Sequence, residues 1–244
     1  MPVPLLAKSK SGPHIAPEIT LTGHTACVLR AVDAMFGREG EPTRLARSWL
    51  QFFGLDAEDF RLFRRHLRVA AAIHDWGKAN DGFQDAVTKV GEQVVRHEHL
   101  SGLLLADLLV DKAVIEWLRG AKIDEVVLLA AVISHHVKAG QKGERTLGAL
   151  VGKREALRFH SDHEDFARVW EMIQAEVGPP CNAPIRFPTR WKKEEIAQKG
   201  EALRVVLNKE KSKLRDDRVR LRWVAAVRAG LIVADAVGSA VVRI

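Results

Sequence analysis

A continuous apolar run, Val69-Ala70-Ala71-Ala72-Ile73, leads straight into His74 and Asp75. An imidazole and a carboxylate therefore emerge together from a segment whose composition demands burial. Burying either group without a partner is expensive, so the fold must bring compensating groups from elsewhere in the chain. A metal ion compensates both at once. Lys78 follows His74 by four residues and can reach the same mouth.

The rest of the chain offers the missing partners: His24, the cluster Arg96-His97-Glu98-His99, the pair His135-His136, and Asp235. Read singly, His24 is a helix cap or surface residue, His135-His136 a hydrogen-bonded pair at a helix end, and His97 and His99 residents of a wet face. Asp235 is harder to set aside, because it stands among Leu231, Ile232, Val233, Ala234, Ala236 and Val237. A carboxylate in such a segment needs a cation or several donors. His14, His66, His160 and His163 lack this context and read as surface or packing residues.

Imidazole and carboxylate suit zinc, iron, manganese, nickel or cobalt. Adjacent residues on a helix diverge by roughly 100°, so a His-Asp or His-His pair shares one ion only at a helix end or turn and otherwise serves two ions. Asp75 is the natural bridge, since a carboxylate has two oxygens. Two ions roughly 3.5–4 Å apart can activate a water, neutralise a phosphoryl oxygen and stabilise the leaving oxygen. Phosphoester hydrolysis is the reaction that most needs this, with Lys78 as a phosphate clamp or an aid to the leaving oxygen.

The 244 residues fit one large domain or a domain with appendages. No uninterrupted apolar stretch approaches the roughly 18–20 residues needed to span a bilayer. The first 20 residues read as a flexible or docking lead-in, with too short an apolar run for a signal peptide. Cys27 and Cys181 form no C-x-x-C pair, which suits a reducing, cytoplasmic setting. The net charge of +7 is uneven: residues 181–244 hold fifteen Lys and Arg against seven Asp and Glu, whereas residues 1–180 hold 23 against 24. The basic quarter, with Lys192, Lys193, Lys209, Lys211, Lys213, Arg215, Arg218, Arg220 and Arg222, suggests a surface for a polyanion such as nucleic acid. Trp76 and Trp191 stand where they could stack on a base.

Helical periodicity dominates, and the expected class is all-α. Stripes or runs cover Ala26–Phe36, Leu45–Phe53, Phe60–Ile73, Asp81–Val90, Glu98–Leu118, Glu125–His136 capped by Asp124, and His163–Val177. A proline-rich loop follows over 178–190, then basic helices over 191–244: a charged one to about Arg215 and an apolar one over Val219–Val242. The glycine-rich segment 148–153 lacks the spacing and the Ser or Thr of a phosphate loop.

In order, His74-Asp75-Trp-Gly-Lys78 with Phe83-Gln84, Arg96-His97-Glu98-x-x-Ser101, Ser134-His135-His136 and Ala234-Asp235-x-x-x-Ser239 resemble the HD superfamily of metal-dependent phosphohydrolases. More closely, they resemble the HD nuclease of type I CRISPR interference systems, from His24 to Ser239. The resemblance implies an HD-domain helical bundle with a metal site in a central cleft, one domain over 1–244. It implies one ion held by His24, His74, Asp75 and Asp235, and a second held by Asp75, His97, His135 and His136. His99 is a possible substitute for His97; Ser239 would support Asp235 or touch substrate; Asp75 and Lys78 would be the catalytic pair.

The implied cofactors are one or two divalent transition-metal ions, with manganese, iron, nickel or cobalt ahead of magnesium or zinc. The implied activity is cleavage of single-stranded DNA by a metal-activated water, endo- or exonucleolytic, alongside a superfamily-2 helicase and a CRISPR effector complex, with no membrane partner. Family members usually carry that helicase in the same chain; its motifs are absent here, which fits a stand-alone subunit or an excised N-terminal domain. Two other readings stay open: a phosphohydrolase of nucleotides or cyclic nucleotides, and a non-catalytic nucleic-acid-binding subunit.

Overall fold

The computed structural model describes residues 3–10, 14–91, 95–136, 147–149, 153–178, 181 and 185–240. Among these, the helices in chain order are α1 (Leu21–Phe36), α2 (Arg44–Phe53), α3 (Phe60–Ile73), α4 (Asp81–Val87), α5 (His97–Leu108), α6 (Lys112–Gly120), α7 (Glu125–Ile133), α8 (Glu164–Val177), α9 (Lys193–Asp216) and α10 (Arg218–Ala240). Two short antiparallel strand pairs accompany them: β1 (Gly37–Arg38) with β2 (Glu41–Pro42), and, across α8, β3 (Ala156–Arg158) with β4 (Arg190–Lys192). The class is all-α, as the periodicity predicts.

Helix α3 occupies the centre because its last five residues, Val69–Ile73, are apolar on every side. Val69, Ala70 and Ala71 are fully buried, and short alanine side chains let α1, α7, α8 and α10 close around it. Helix α10 packs on α1, α3 and α7 through Ala226, Val227, Gly230, Leu231, Ala234 and Gly238. Each fully buried valine or leucine there contributes about 2 kcal/mol. A Cβ at Gly238 would lie 2.9 Å from the Val28 backbone, so glycine is what lets the end of α10 meet α1. By length and composition α10 could cross a membrane, yet in this fold it forms one wall of the core and carries Asp235 inward.

Several boundaries differ from the sequence expectation. The run over Glu98–Leu118 is two helices, divided where the Asp111 side chain accepts from the Ala113 amide (2.9 Å) and starts α6. Helix α4 ends at Val87 rather than Val90, with Lys89 at φ 63°. Helix α7 stops at Ile133, leaving His135 and His136 beyond its end. The segment after Thr189 begins as β4, whose Trp191 pairs in register with Leu157. Strands of three residues are too short for alternation to show, and their partners lie far apart in sequence. The lead-in is docked: Leu5, Leu6 and Ala7 are buried. Residues 179–180 and 182–184 of the proline-rich loop, 150–152 of the glycine-rich segment and Val242 lie outside the described residues.

Candidate metal centre

The C-terminus of α3 sets the geometry. His74 caps the helix in α-conformation, and its Nδ1 donates to the Ala71 carbonyl (2.7 Å). That bond fixes the tautomer and turns Nε2 towards the cavity, the usual arrangement of a ligating histidine. His135, just past the end of α7, repeats the device with Nδ1 on the Val132 carbonyl (2.6 Å). Arg228 on α10 holds the intervening Ser134 carbonyl (2.8 Å). The 3-10 turn Trp76–Lys78 packs against α5, where a Cβ on Gly77 would lie 2.3 Å from the His97 carbonyl oxygen. The Gly77 amide donates to Ser101 Oγ (2.8 Å), and this close approach sets His97 opposite Asp75.

Five stretches of chain converge. Asp75 Oδ2 lies 3.0 Å from His24 Nε2 and 3.4 Å from His74 Nε2, while Oδ1 lies 3.2 Å from His97 Nε2. Asp235 Oδ1 lies 3.2 Å from His24 Nε2 and 3.7 Å from His74 Nε2, and it accepts from Ser239 Oγ (3.2 Å). His97 and His136 meet Nε2 to Nε2 at 3.0 Å. Ligand atoms of His24, His74 and Asp75 lie within 4.8 Å of one another, as do those of His97, His135 and His136. His74, His135 and Asp235 form a third such group, so His135 faces both halves of the centre.

These donors fit a metal better than they fit one another. His24 Nε2, His74 Nε2, Asp75 Oδ1 and His135 Nε2 are buried without a hydrogen-bond partner despite the short separations. Lone pairs converging on a shared point satisfy that description. The two oxygens of Asp75 face the two halves separately.

The electrostatics agree. Burial pushes Asp75 and Asp235 towards neutrality, but the surrounding cations and imidazoles outweigh it: His74 and Lys78 at Asp75, His24 and His74 at Asp235. Both carboxyls are held below their ordinary range. Burial also pulls His74 down, yet Asp75 and Asp235 prevail and raise it to about 10. Burial, with Lys78 nearby, lowers His97 to about 4. Burial and the charge on His74 drive His135 well below the usual histidine value. The centre thus pairs two carboxylates with a protonated His74, and leaves His97 and His135 neutral.

Other expected residues fall elsewhere. Lys78 is 7% exposed; its Nζ meets Asp75 Oδ2 (2.5 Å) and the Ala7 carbonyl (3.0 Å). Its first contact is therefore Asp75 rather than the mouth. His99 is buried and joins none of the three groups, because two residues along α5 turn it away from His97. Trp76 is fully enclosed among Phe166, Trp170 and Phe187, and Trp191 is buried against Phe159; neither can stack on a base. Of the basic set, Lys192, Lys209, Lys211, Arg215 and Arg218 are exposed and Lys193 is half-buried. Lys213 pairs with Glu210, Arg220 grips Asp124 with two bonds (2.6 and 2.7 Å), and Arg222 donates to the Gly54 carbonyl. At 1.5 Å per residue, Arg222 lies roughly 20 Å along α10 from Asp235.

No local pattern announces what holds the lead-in over the centre. Gln84 clamps Leu6 at both its amide and its carbonyl (2.9 Å each), and Asp165 Oδ2 accepts from the Leu5 amide (2.8 Å). Both are long-range bonds between a polar side chain and backbone.

With that arrangement in view, the sequence profile of the family described as "Cas3, HD domain" matches residues 7–242. The chain belongs to the Cas3 HD-domain family. A Myxococcus xanthus (strain DK1622) protein assigned by name as a CRISPR-associated nuclease/helicase Cas3 is 32% identical over 248 aligned residues, which take in 98% of this chain and 31% of the relative. The chain thus spans about a third of the length of that Cas3 relative.

Proposed function

We propose that this chain is the nuclease unit of a CRISPR interference system, cutting single-stranded DNA by metal-assisted attack of water on a backbone phosphate. Family membership supports the nuclease class. The observation that carries the mechanism is the convergence of His24, His74, Asp75, His97, His135, His136 and Asp235, with buried donor atoms unsatisfied. In this reading residues 1–244 work as one unit in the cytoplasm. Its partners are a superfamily-2 helicase domain or subunit and the CRISPR effector complex, the helicase role being suggested by the name of the Myxococcus relative.

One ion would be held by His24, His74, Asp75 and Asp235, a second by Asp75, His97, His136 and His135, which also faces His74. Mixed imidazole and carboxylate ligation suits several divalent transition metals, zinc included; the family resemblance puts manganese, iron, nickel or cobalt first. Bound divalent ions would supply Lewis acidity towards a phosphoryl oxygen and lower the pKa of a water. The protein's part is preorganisation. Ala71 and Val132 carbonyls orient His74 and His135, Ser239 supports Asp235, and Lys78 anchors the bridging carboxylate of Asp75. Lys192, Lys193, Lys209, Lys211, Lys213, Arg215, Arg218 and Arg222 would steer the strand by charge, without reading sequence.

The test is cleavage of a single-stranded oligonucleotide by purified protein across manganese, iron, nickel, cobalt, magnesium and zinc. Cleavage with a transition metal, abolished by Asp75→Ala, is expected. Turnover of mononucleotides alone, or an Asp75→Ala variant cutting at the parent rate, overturns the assignment.

A further inference from the structure

The docked lead-in has a consequence for the mouth of the centre. Every backbone polar group from Leu5 to Ala7 is tied down. Leu5 is bonded by Asp165 and by the Leu21 amide (2.7 Å), Leu6 by Gln84, and Ala7 by the Ile19 carbonyl (2.8 Å) and Lys78 Nζ (3.0 Å). The three side chains used, Asp165, Gln84 and Lys78, come from separate parts of the fold, which is heavy anchoring for three residues of chain. What the clamped backbone presents next is Lys8. Its side chain is half-buried, and its Nζ lies 3.4 Å from the carbonyl oxygen of Ser239, whose hydroxyl donates to Asp235. Lys8 therefore stands on the His24–Asp235 side of the centre, at its solvent edge, while Lys78 is enclosed beneath.

We propose that Lys8 is a substrate-positioning residue: its ammonium binds a backbone phosphate of the single strand as it crosses the Asp235–Ser239 rim. The proposal deepens the nuclease reading and rests on it. A cation held on anchored backbone loses little freedom when it meets a phosphate, and such contacts are charge-assisted and insensitive to base identity. The Ser239 carbonyl is a weak partner at 3.4 Å, one an incoming phosphate can replace. A purely structural role is the competing account, since a lysine beside the last turn of α10 also complements the helix dipole.

Salt dependence separates the two. Binding of a fluorescent oligothymidylate to the full chain is measured by anisotropy in EDTA, where no cleavage occurs, from 50 to about 300 mM salt. Lys8→Ala is expected to weaken binding roughly tenfold, the value of one hydrogen bond to a charged group, and to flatten the log–log salt slope by about 0.7, the contribution of one phosphate contact. Lys8→Arg keeps the parent slope, and Lys112→Ala, which removes an exposed lysine on α6, changes neither quantity. With manganese, Lys8→Ala raises KM more than it lowers kcat. A folded Lys8→Ala protein with the parent slope, or Lys112→Ala matching its effect, overturns the proposal while a parent that still cuts the strand keeps the nuclease reading. A parent that neither binds nor cuts single-stranded DNA defeats both.

Discussion

Replacing Asp75 by asparagine removes one charge and keeps the shape, so its consequences can be worked from the contacts. In the metal-free protein the carboxylate is 1% exposed and neutralises buried Lys78 at 2.5 Å. Removing one member of a buried ion pair costs about 3–5 kcal/mol. Here the cost falls towards 1–3 kcal/mol for two reasons. The amide oxygen and the Ala7 carbonyl still accept from Lys78, and repulsion between Asp75 and Asp235 disappears. At about 2–4 °C per kcal/mol for a chain of this size, the melting temperature in EDTA should drop by roughly 2–12 °C. The metal response should change more. A ligand at a hundred times its Kd stabilises by about 2.7 kcal/mol, which predicts a rise of roughly 5–11 °C when manganese is added to the parent. Asp75→Asn lacks the bridge to both halves and should show almost none of that rise. Differential scanning calorimetry of both proteins, with EDTA and with excess manganese, measures the two effects separately. A variant that keeps the parent's manganese-induced rise would show that Asp75 holds no metal, and the bridging argument would be refuted.

Gly77→Ala should destabilise the fold by about 3 kcal/mol or more and disturb His97, because the new Cβ meets the backbone of His97 and Ser101 at 2.3 and 2.5 Å rather than a yielding side chain; urea denaturation reads it as a lower midpoint. Arg220→Ala should cost about 1–2 kcal/mol at neutral pH by leaving half-buried Asp124 without its two bonds. Burial raises the Asp124 carboxyl, but Arg220 and the Val126 and Val127 amides outweigh it and depress the folded pKa. The stabilisation is thus present above about pH 4 and lost as the pH falls further, so the gap between parent and variant in urea titrations should narrow at low pH. Because His74 is raised to about 10, the metal-free protein carries that proton at pH 7, and its contribution to stability is full below about pH 6.5 and lost as the pH rises through 10. Metal binding at pH 7 should release about one proton, detected by calorimetry in buffers of different ionisation enthalpy; no buffer dependence would contradict the protonated cluster.

Much of the centre was legible because its chemistry conflicts with its surroundings. A carboxylate in the apolar segment around Asp235, or an imidazole and carboxylate closing the Val69–Ile73 run, violates the local pattern, and such violations mark sites. Lys78 was legible as a participant, but its depth was not, since spacing says nothing about which lysine is covered by a distant strap. His97 and His99 are equivalent on paper; only the direction in which α5 enters the core separates them. The basic quarter was visible as a charge surplus, whereas its division into exposed residues and residues committed to Asp124, Glu210 and Gly54 depends on neighbours far away in the chain.

Periodicity and polarity, which are properties of consecutive residues, were enough to determine the all-α class and to mark the side chains that need a cation. The three-residue strands, the split after Leu108 and the strap over residues 5–8 are stabilised by contacts between distant segments, so no local pattern announces them. The tertiary structure alone decided that Asp75 faces two clusters at once, that His135 lies within reach of both, and that Lys8 rather than Lys78 stands at the rim. Those outcomes depend on how closely helices can approach, and glycine at 77 and 238 sets that distance.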